Sequence, residues 1–149
     1  MKVSKRTEYG LRALVSLAEH GGADVPVSLR EIATMEEIPE AFLDQIFGSL
    51  RREGLVNSVR GASGGFQLAH APADIRMGQI VRVLEGDLAP IGCVSGEFAD
   101  PEDFCARASH CHTRSVWVKL NASIERALDG ITLADVMAEE LTPATVEQV

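Results

Sequence analysis

A mainly α-helical fold carrying one small β-hairpin, with a long helix near its C-terminus, is what this sequence predicts. Three patterns predict it. Apolar residues recur at helical period in three successive stretches of the first third. A glycine-rich turn, "GASGG", separates two short alternating stretches. A single apolar stripe of helical period runs from Thr113 to Asp129. With 149 residues the chain has the length of one domain and can bury a core of its own.

The first helix is expected from about Lys5 to His20, with Leu11, Leu14, Val15 and Ala18 on one face, Ser4 as N-cap and "HGG" as its stop. "SLRE" is a capping box: the Ser28 side chain can accept from the backbone N–H of Glu31, and the Glu31 side chain can accept from that of Ser28. Leu29, Ile32 and Ala33 give this second, short helix its apolar stripe. A turn is expected at "MEEI", with Pro39 as the first residue of a third helix, where its missing N–H costs no bond. Leu43, Ile46, Phe47 and Leu50 form that helix's buried face. Its other face, Ala41, Asp44, Gln45 and Gly48, is small or polar. Small residues allow close approach, and Asp and Gln can pair with base edges. An ordinary solvated face accounts for the same residues.

"LVNSVR" and "FQLA" then read as the two strands of a hairpin with "GASGG" at its tip and Arg60 at the base of the tip. Helix, helix, helix, hairpin is the order of a winged helix-turn-helix. Residues 1–86 are accordingly expected to form a DNA-binding region, with Arg60 placed to enter a minor groove. A short helix from Met77 to about Glu85, ended by Gly86, closes this region. Residues 87–112 form a loop, residues 113–140 a long helix and a short terminal one starting at "TLAD", and residues 141–149 a disordered tail. There are no internal repeats.

The net charge of −8 argues at first against a nucleic-acid partner, but its distribution does not. Residues 1–66 carry 8 basic and 9 acidic residues, whereas residues 67–149 carry 6 and 13. The first half can meet phosphate and the second cannot. No apolar run reaches the roughly 20 residues that span a bilayer, and "MKVSKRTEYG" has no apolar segment after its basic residues, so neither membrane nor export is expected. The expected compartment is the reducing cytoplasm. An enzyme would need a nucleophile with a positioned base, or paired carboxylates on ordered elements. The acidic run Glu97, Asp100, Glu102 and Asp103 reads instead as a solvated surface, and "GASGG" lacks the lysine of a phosphate-binding loop.

All three cysteines lie in the loop, as Cys93-x11-Cys105-x5-Cys111, with His110 and His112 beside the last. An odd number of thiols without an export signal argues against a disulfide framework. Structural zinc would favour paired ligands spaced by two to four residues, and no C-x-x-C occurs here. A thiol switch remains open, with Arg107, His110 and Arg114 near enough in sequence to acidify Cys105 or Cys111. So does an iron–sulfur cluster, whose usual ligands are thiolates.

The order "SLREIA … IPEAFLDQIFGSLRREGLVNSVRGASGGFQLA", followed by a three-cysteine loop and "RSVW", resembles the bacterial winged-helix transcription regulators that include IscR, NsrR, RirA and CymR. The resemblance runs from about Met1 to Met137. It implies a homodimer joined through the long helix and bound to an inverted-repeat operator in double-stranded DNA. Three cysteines with a final x5 gap resemble the branch that holds an iron–sulfur cluster, of the 2Fe–2S or 4Fe–4S kind, and senses iron, cluster supply, nitric oxide or redox state. Two departures stand out: the first gap is longer than in IscR, and Arg114 stands where IscR has a ligand histidine. Glu8 matches an acidic residue that reaches the cluster across the dimer in NsrR-like members.

The expected cluster ligands are therefore Cys93, Cys105, Cys111 and Glu8 of the partner chain. The expected DNA contacts are Lys5, Ser28, Ala41, Asp44, Gln45, Arg51, Arg52, Arg60 and Gly64. The expected dimer stripe is Val116, Trp117, Leu120, Ile124 and Leu128. The alternatives are a thiol-switch regulator without a cluster, and a module whose acidic half docks a basic partner protein.

Overall fold

A computed structural model describes residues 2–96 and 99–138; the expected tail 141–149 lies outside them, as does Glu97 of the acidic run. Helix α1 spans Lys5–His20. Ser4 caps it, its hydroxyl accepting from the Thr7 N–H, and Gly21 and Gly22 end it by donating to the Leu17 carbonyl. Helix α2, Leu29–Glu36, opens on the reciprocal Ser28–Glu31 capping box. It runs two residues into the expected turn and stops where Glu37 adopts a left-handed conformation, φ 55°. Helix α3 is Glu40–Arg52. Pro39 is its N-cap rather than its first residue, and its carbonyl accepts from Phe42 and Leu43. Proline suits either position, since both lie where no intrahelical N–H is required.

Strands β1, Val56–Val59, and β2, Gly65–Leu68, pair antiparallel with Val56 opposite Leu68 and Val59 opposite Gly65. Val27, in the link between α1 and α2, adds a bridge to Phe66 on the other side of β2. That third rung was not expected from the sequence. It needs glycine at 65, because a Cβ there would collide with the Val27 carbonyl. Helix α4, Met77–Glu85, ends at Gly86, φ 86°. The loop after it contains a four-residue helix α5, Pro101–Phe104, and two 3-10 turns at Gly92–Val94 and Ala108–His110. Helix α6 is Arg114–Asp129 and α7 is Leu133–Met137, the latter opened by a Thr132–Asp135 capping box.

One core joins these pieces. Leu14 and Leu17 of α1, Ile32 of α2, Leu43, Ile46, Phe47 and Leu50 of α3, Val56 of β1 and Ile80 of α4 are all fully buried. Each such side chain contributes about 1.5–3 kcal/mol on transfer from water. Phe47 meets Phe66 edge-on, with centroids 5.0 Å apart, which fixes the hairpin against α3. The chain beyond α6 returns to this core. Leu133 is fully buried, its N–H donates to the Ile75 carbonyl at 2.9 Å, and the Met77 N–H donates to the Ile131 carbonyl at 2.9 Å. The expected 113–140 unit is thus divided in space, with α7 part of the head. Helix α6, although 16 residues long, buries no residue.

Candidate nucleic-acid interface and cysteine loop

Helix α3 presents Ala41, Asp44, Gln45, Arg51 and Arg52 to solvent, with Gly48 half-buried among them. The face is the one the apolar stripe leaves free. Arg51 Nη1 stands 3.5 Å from Ser58 Oγ of β1, at the limit of a hydrogen bond. The hairpin tip turns at Gly61, φ 114°, with the Gly64 N–H donating to the Gly61 carbonyl at 3.0 Å. A side chain at Gly64 would strike the Val59 carbonyl, so the tip stays thin, and Arg60 beside it is exposed. A thin tip with one exposed cation is the shape that enters a minor groove. Ser28 is half-buried and its hydroxyl also donates to Glu31 at 2.7 Å, within the capping box. Its place at the start of α2 leaves it near the positive end of that helix.

Lys5 is not a free cation: its amine lies 2.8 Å from the Glu8 carboxylate and 5.5 Å from the Tyr9 ring centre. Two residues absent from the expected contacts, Arg6 of α1 and Ser49, meet at the flank of α3. Ser49 is 7% exposed, on the inner edge of α3, and its hydroxyl accepts from Arg6 Nη2 at 2.6 Å and from Arg52 Nη2 at 2.9 Å. A hydroxyl next to the stripe Leu43, Ile46, Phe47 and Leu50 was the available signal, since a buried polar group needs partners.

The cysteine loop is anchored at both ends. The Asp87 carboxylate accepts from the N–H groups of Ala89 at 2.7 Å and Gly96 at 2.8 Å, and from the Ser95 hydroxyl. The Ser95 bond, with those two backbone bonds, holds its carboxyl below the usual range. At the other end Arg114 Nε donates to the Cys93 carbonyl at 3.1 Å. Arg114 thus has a structural task of its own. Cys93 lies in the Gly92–Val94 turn and is 8% exposed; the Phe104 ring packs so closely on Gly92 that a Cβ would overlap it. Cys105 is half-buried just after α5, and Cys111 is exposed. The Thr113 hydroxyl, 3.2 Å from Cys111 Sγ, lowers that thiol's pKa, helped by the Thr113 and Arg114 N–H groups and by the Arg107 charge. His110 Nδ1 lies 2.8 Å from the Ser109 hydroxyl, and His112 is exposed.

All three cysteines are free thiols. Their chemistry fits an iron–sulfur cluster, for which three thiolates are the main part of a donor set. Among the described residues, however, no three His, Cys, Asp or Glu side chains are gathered as a metal-holding group. The donors are present on one loop without a closed geometry. Glu8 is exposed on α1 and paired with Lys5.

On α6 the expected stripe is uneven. Val116 is 58% and Leu120 is 42% exposed, while Trp117, Ile124 and Leu128 are half-buried. Its last turn is fixed to α4: Arg82 grips Asp129 with two nitrogens, at 2.7 and 3.3 Å, and Gly78 leaves room for the Asp129 carboxylate.

Two adjoining helices, a small and polar α3 face, and a thin basic wing define a winged-helix transcription regulator. The chain belongs to the Rrf2 family: a family model described as an iron-dependent transcriptional regulator matches residues 3–139. A putative rrf2-like regulator of Rhodobacter capsulatus is 36% identical over 138 residues, covering 91% of this chain and 92% of that one. The solved structure of CymR, the global cysteine regulator of B. subtilis, superposes with a TM-score of 0.73 at 34% identity, covering 93% and 98% of the two chains. That of T. potens IscR does so with 0.69 at 42%, covering 94% and 88%. These relatives are named as regulators, not enzymes. No helix among the described residues is long and apolar enough to cross a membrane.

Proposed function

We propose that the protein is a homodimeric regulator that binds an inverted-repeat operator through α3 and the wing, and that its cysteine loop is the sensing element. The observation that carries the DNA reading is the exposed Ala41, Asp44 and Gln45 face, with half-buried Gly48 in it, beside the Arg60 wing. In this reading α3 lies in a major groove with Asp44 and Gln45 at base edges, while Arg60 and Gly64 approach the adjacent minor groove. Ser28, Arg51 and Arg52 face phosphates, as does Lys5 once it leaves Glu8. Fluorescence anisotropy with a duplex selected from a random-sequence pool tests it: tight, salt-sensitive binding to an inverted repeat is expected, and equal binding to a scrambled duplex sinks it.

For the sensing element, three free thiols on one loop between the head and α6 support a cluster held by Cys93, Cys105 and Cys111, with Glu8 of the partner chain as fourth ligand. When bound, the cluster supplies a centre that oxidants or nitric oxide can destroy. A carboxylate is a hard ligand beside soft sulfur, so that corner is the labile one. The protein's own part is to order the loop, through Asp87 and Arg114, so that gaining or losing the ligand set moves segments joined to the head. The test is the visible spectrum of anaerobically purified protein with iron and sulfide counts; a colourless protein after anaerobic reconstitution overturns it.

One observation favours a second reading. Cys111 is exposed and its thiol is acidified by Thr113, as expected of a thiol switch without a cluster. Protein that stays colourless yet changes DNA affinity on mild peroxide treatment would establish that reading instead.

A further inference from the structure

We infer that Arg6 of α1 and Arg52 of α3 form a two-arginine clamp for a single DNA backbone phosphate, assembled on the buried hydroxyl of Ser49. The inference deepens the DNA reading above and rests on it.

The two guanidinium groups donate to the same oxygen, at 2.6 and 2.9 Å, so their charges stand within about twice a hydrogen-bond length of each other. Like charges so placed repel, and a protein of 14 basic and 22 acidic residues has carboxylates to spare for pairing them. Yet among the described residues the ion pairs are Lys5–Glu8, Arg12–Glu36 and Arg82–Asp129, and neither Arg6 nor Arg52 has a carboxylate partner. Glu53, the nearest in sequence to Arg52, shares a cleft of about 310 Å³ with it but makes no ion pair. The other arginine of that cleft, Arg82, is occupied by Asp129. Two cations are therefore held together, unneutralised, by a polar group that the core keeps in place.

Ser49 fixes the spacing. It is 7% exposed and its hydroxyl also reaches the Gln45 carbonyl at 3.3 Å, so it cannot swing away. Each guanidinium spends one nitrogen on Ser49, which leaves its remaining donors for an incoming anion. Planar forks of this kind match phosphate oxygens.

The position selects a duplex as the source of the phosphate. Arg52 Nη1 lies 4.0 Å from where a Cβ of Gly48 would be, so the guanidinium folds back over the same face that carries Gln45. A duplex docked along that face brings its backbone to the flank where Arg6 waits. Recognition helix and first helix would then close on one phosphate from two elements, which fixes the angle at which α3 enters the groove.

The test uses the full-length protein and the duplex it selects from a random-sequence pool. Arg6→Gln and Arg52→Gln should each weaken binding roughly tenfold. The loss should be equal across sequence variants, and the slope of log affinity against log salt should fall by about 1 per half-site. Replacing phosphates one at a time by neutral methylphosphonate should reveal one position per half-site that costs the wild type affinity and costs Arg6→Gln nothing. Ser49→Ala should keep the salt slope, since both cations remain. An unchanged slope in Arg6→Gln together with altered sequence preference would overturn the clamp and leave Arg6 a brace for α3. Should Arg6→Gln fail to fold by circular dichroism, the same methylphosphonate comparison with Arg52→Gln decides. A wild type that selects no sequence would bring down the DNA reading itself, whereas selective binding with unmoved slopes removes the clamp alone.

Discussion

In the proposed DNA reading Gln45 and Arg60 do different work, although both are exposed polar residues. A glutamine amide reads a base edge, whereas an arginine at a thin hairpin tip responds to groove potential and width. Gln45→Ala should therefore relax sequence choice by about 1–3 kcal/mol at one base pair per half-site, with the salt slope unchanged. Arg60→Ala should weaken binding to sites with narrow minor grooves most. Anisotropy over a panel of single-base variants checks both, and retained sequence preference in the double mutant would remove the assignment. The cysteines also differ as individuals. In the cluster-free protein Cys111 should react with iodoacetamide first, and at lower pH than an ordinary thiol because its pKa is lowered, while Cys93 should react last. Peptide mass spectrometry against time gives the order, and early labelling of Cys93 would contradict it. The exposed side of α3 with Gln45, the hairpin base with Arg60 and the grouping of the three cysteines on one loop were legible in residue type and spacing. The Arg6–Ser49 contact was not, since it spans 43 positions and the hydroxyl beside the apolar stripe signals only that it needs a partner.

At the scale of elements, what was local in sequence was legible. The Ser28–Glu31 box, the glycine tip and the α3 stripe each depend on residues a few positions apart, and each is found where expected; on α1 the buried line instead runs through Ala13, Leu14 and Leu17, with Leu11, Val15 and Ala18 only half-buried. The Val27 bridge to β2 and the short helices of the cysteine loop were missed because packing, not pattern, makes them. So was a latch between α1 and α4. The Glu85 carboxylate, at the end of α4, accepts from the Ser4 N–H at 3.0 Å and from the Ser4 and Thr7 hydroxyls at the start of α1. It ties the entry of the cysteine loop to the helix that bears Glu8. The Ser4 hydroxyl, then the Thr7 hydroxyl, hold its carboxyl below the usual range. A lowered folded-state pKa means the latch contributes fully at neutral pH and is lost as pH falls through that value. Glu85→Gln should cost about 1–3 kcal/mol at neutral pH and nearly nothing in strong acid, so the stability curve flattens on the acid side. Urea denaturation at several pH values measures this; an equal loss at all pH values would assign the effect to packing instead.

For the whole molecule, charge is unevenly divided along the chain. The half that carries α1 to the wing is almost neutral, and the acidic half supplies α4, the cysteine loop, α6 and α7. Periodicity alone left open whether α6 packs on its own head or on a second chain. The helix answers differently along its length: Leu128 joins the head's core, while Val116 and Leu120, together with Val118, at 41%, stay exposed. A helix of 16 residues without one fully buried side chain leaves Val116, Val118 and Leu120 in contact with water, apolar surface that a second chain can cover. A second copy of α6 would cover it, and would also set two α3 helices at the fixed distance an inverted repeat demands. Leu120→Glu with Ile124→Glu should therefore yield monomers whose head stays folded, because neither position belongs to the core that holds Leu133. Sedimentation should show the halved mass, circular dichroism an intact helical signal, and anisotropy a loss of preference for two half-sites over one. A folded dimer in that variant would place the interface elsewhere. Unfolding would be separated from dissociation by Val116→Glu alone, whose side chain is 58% exposed and free to change without touching the head.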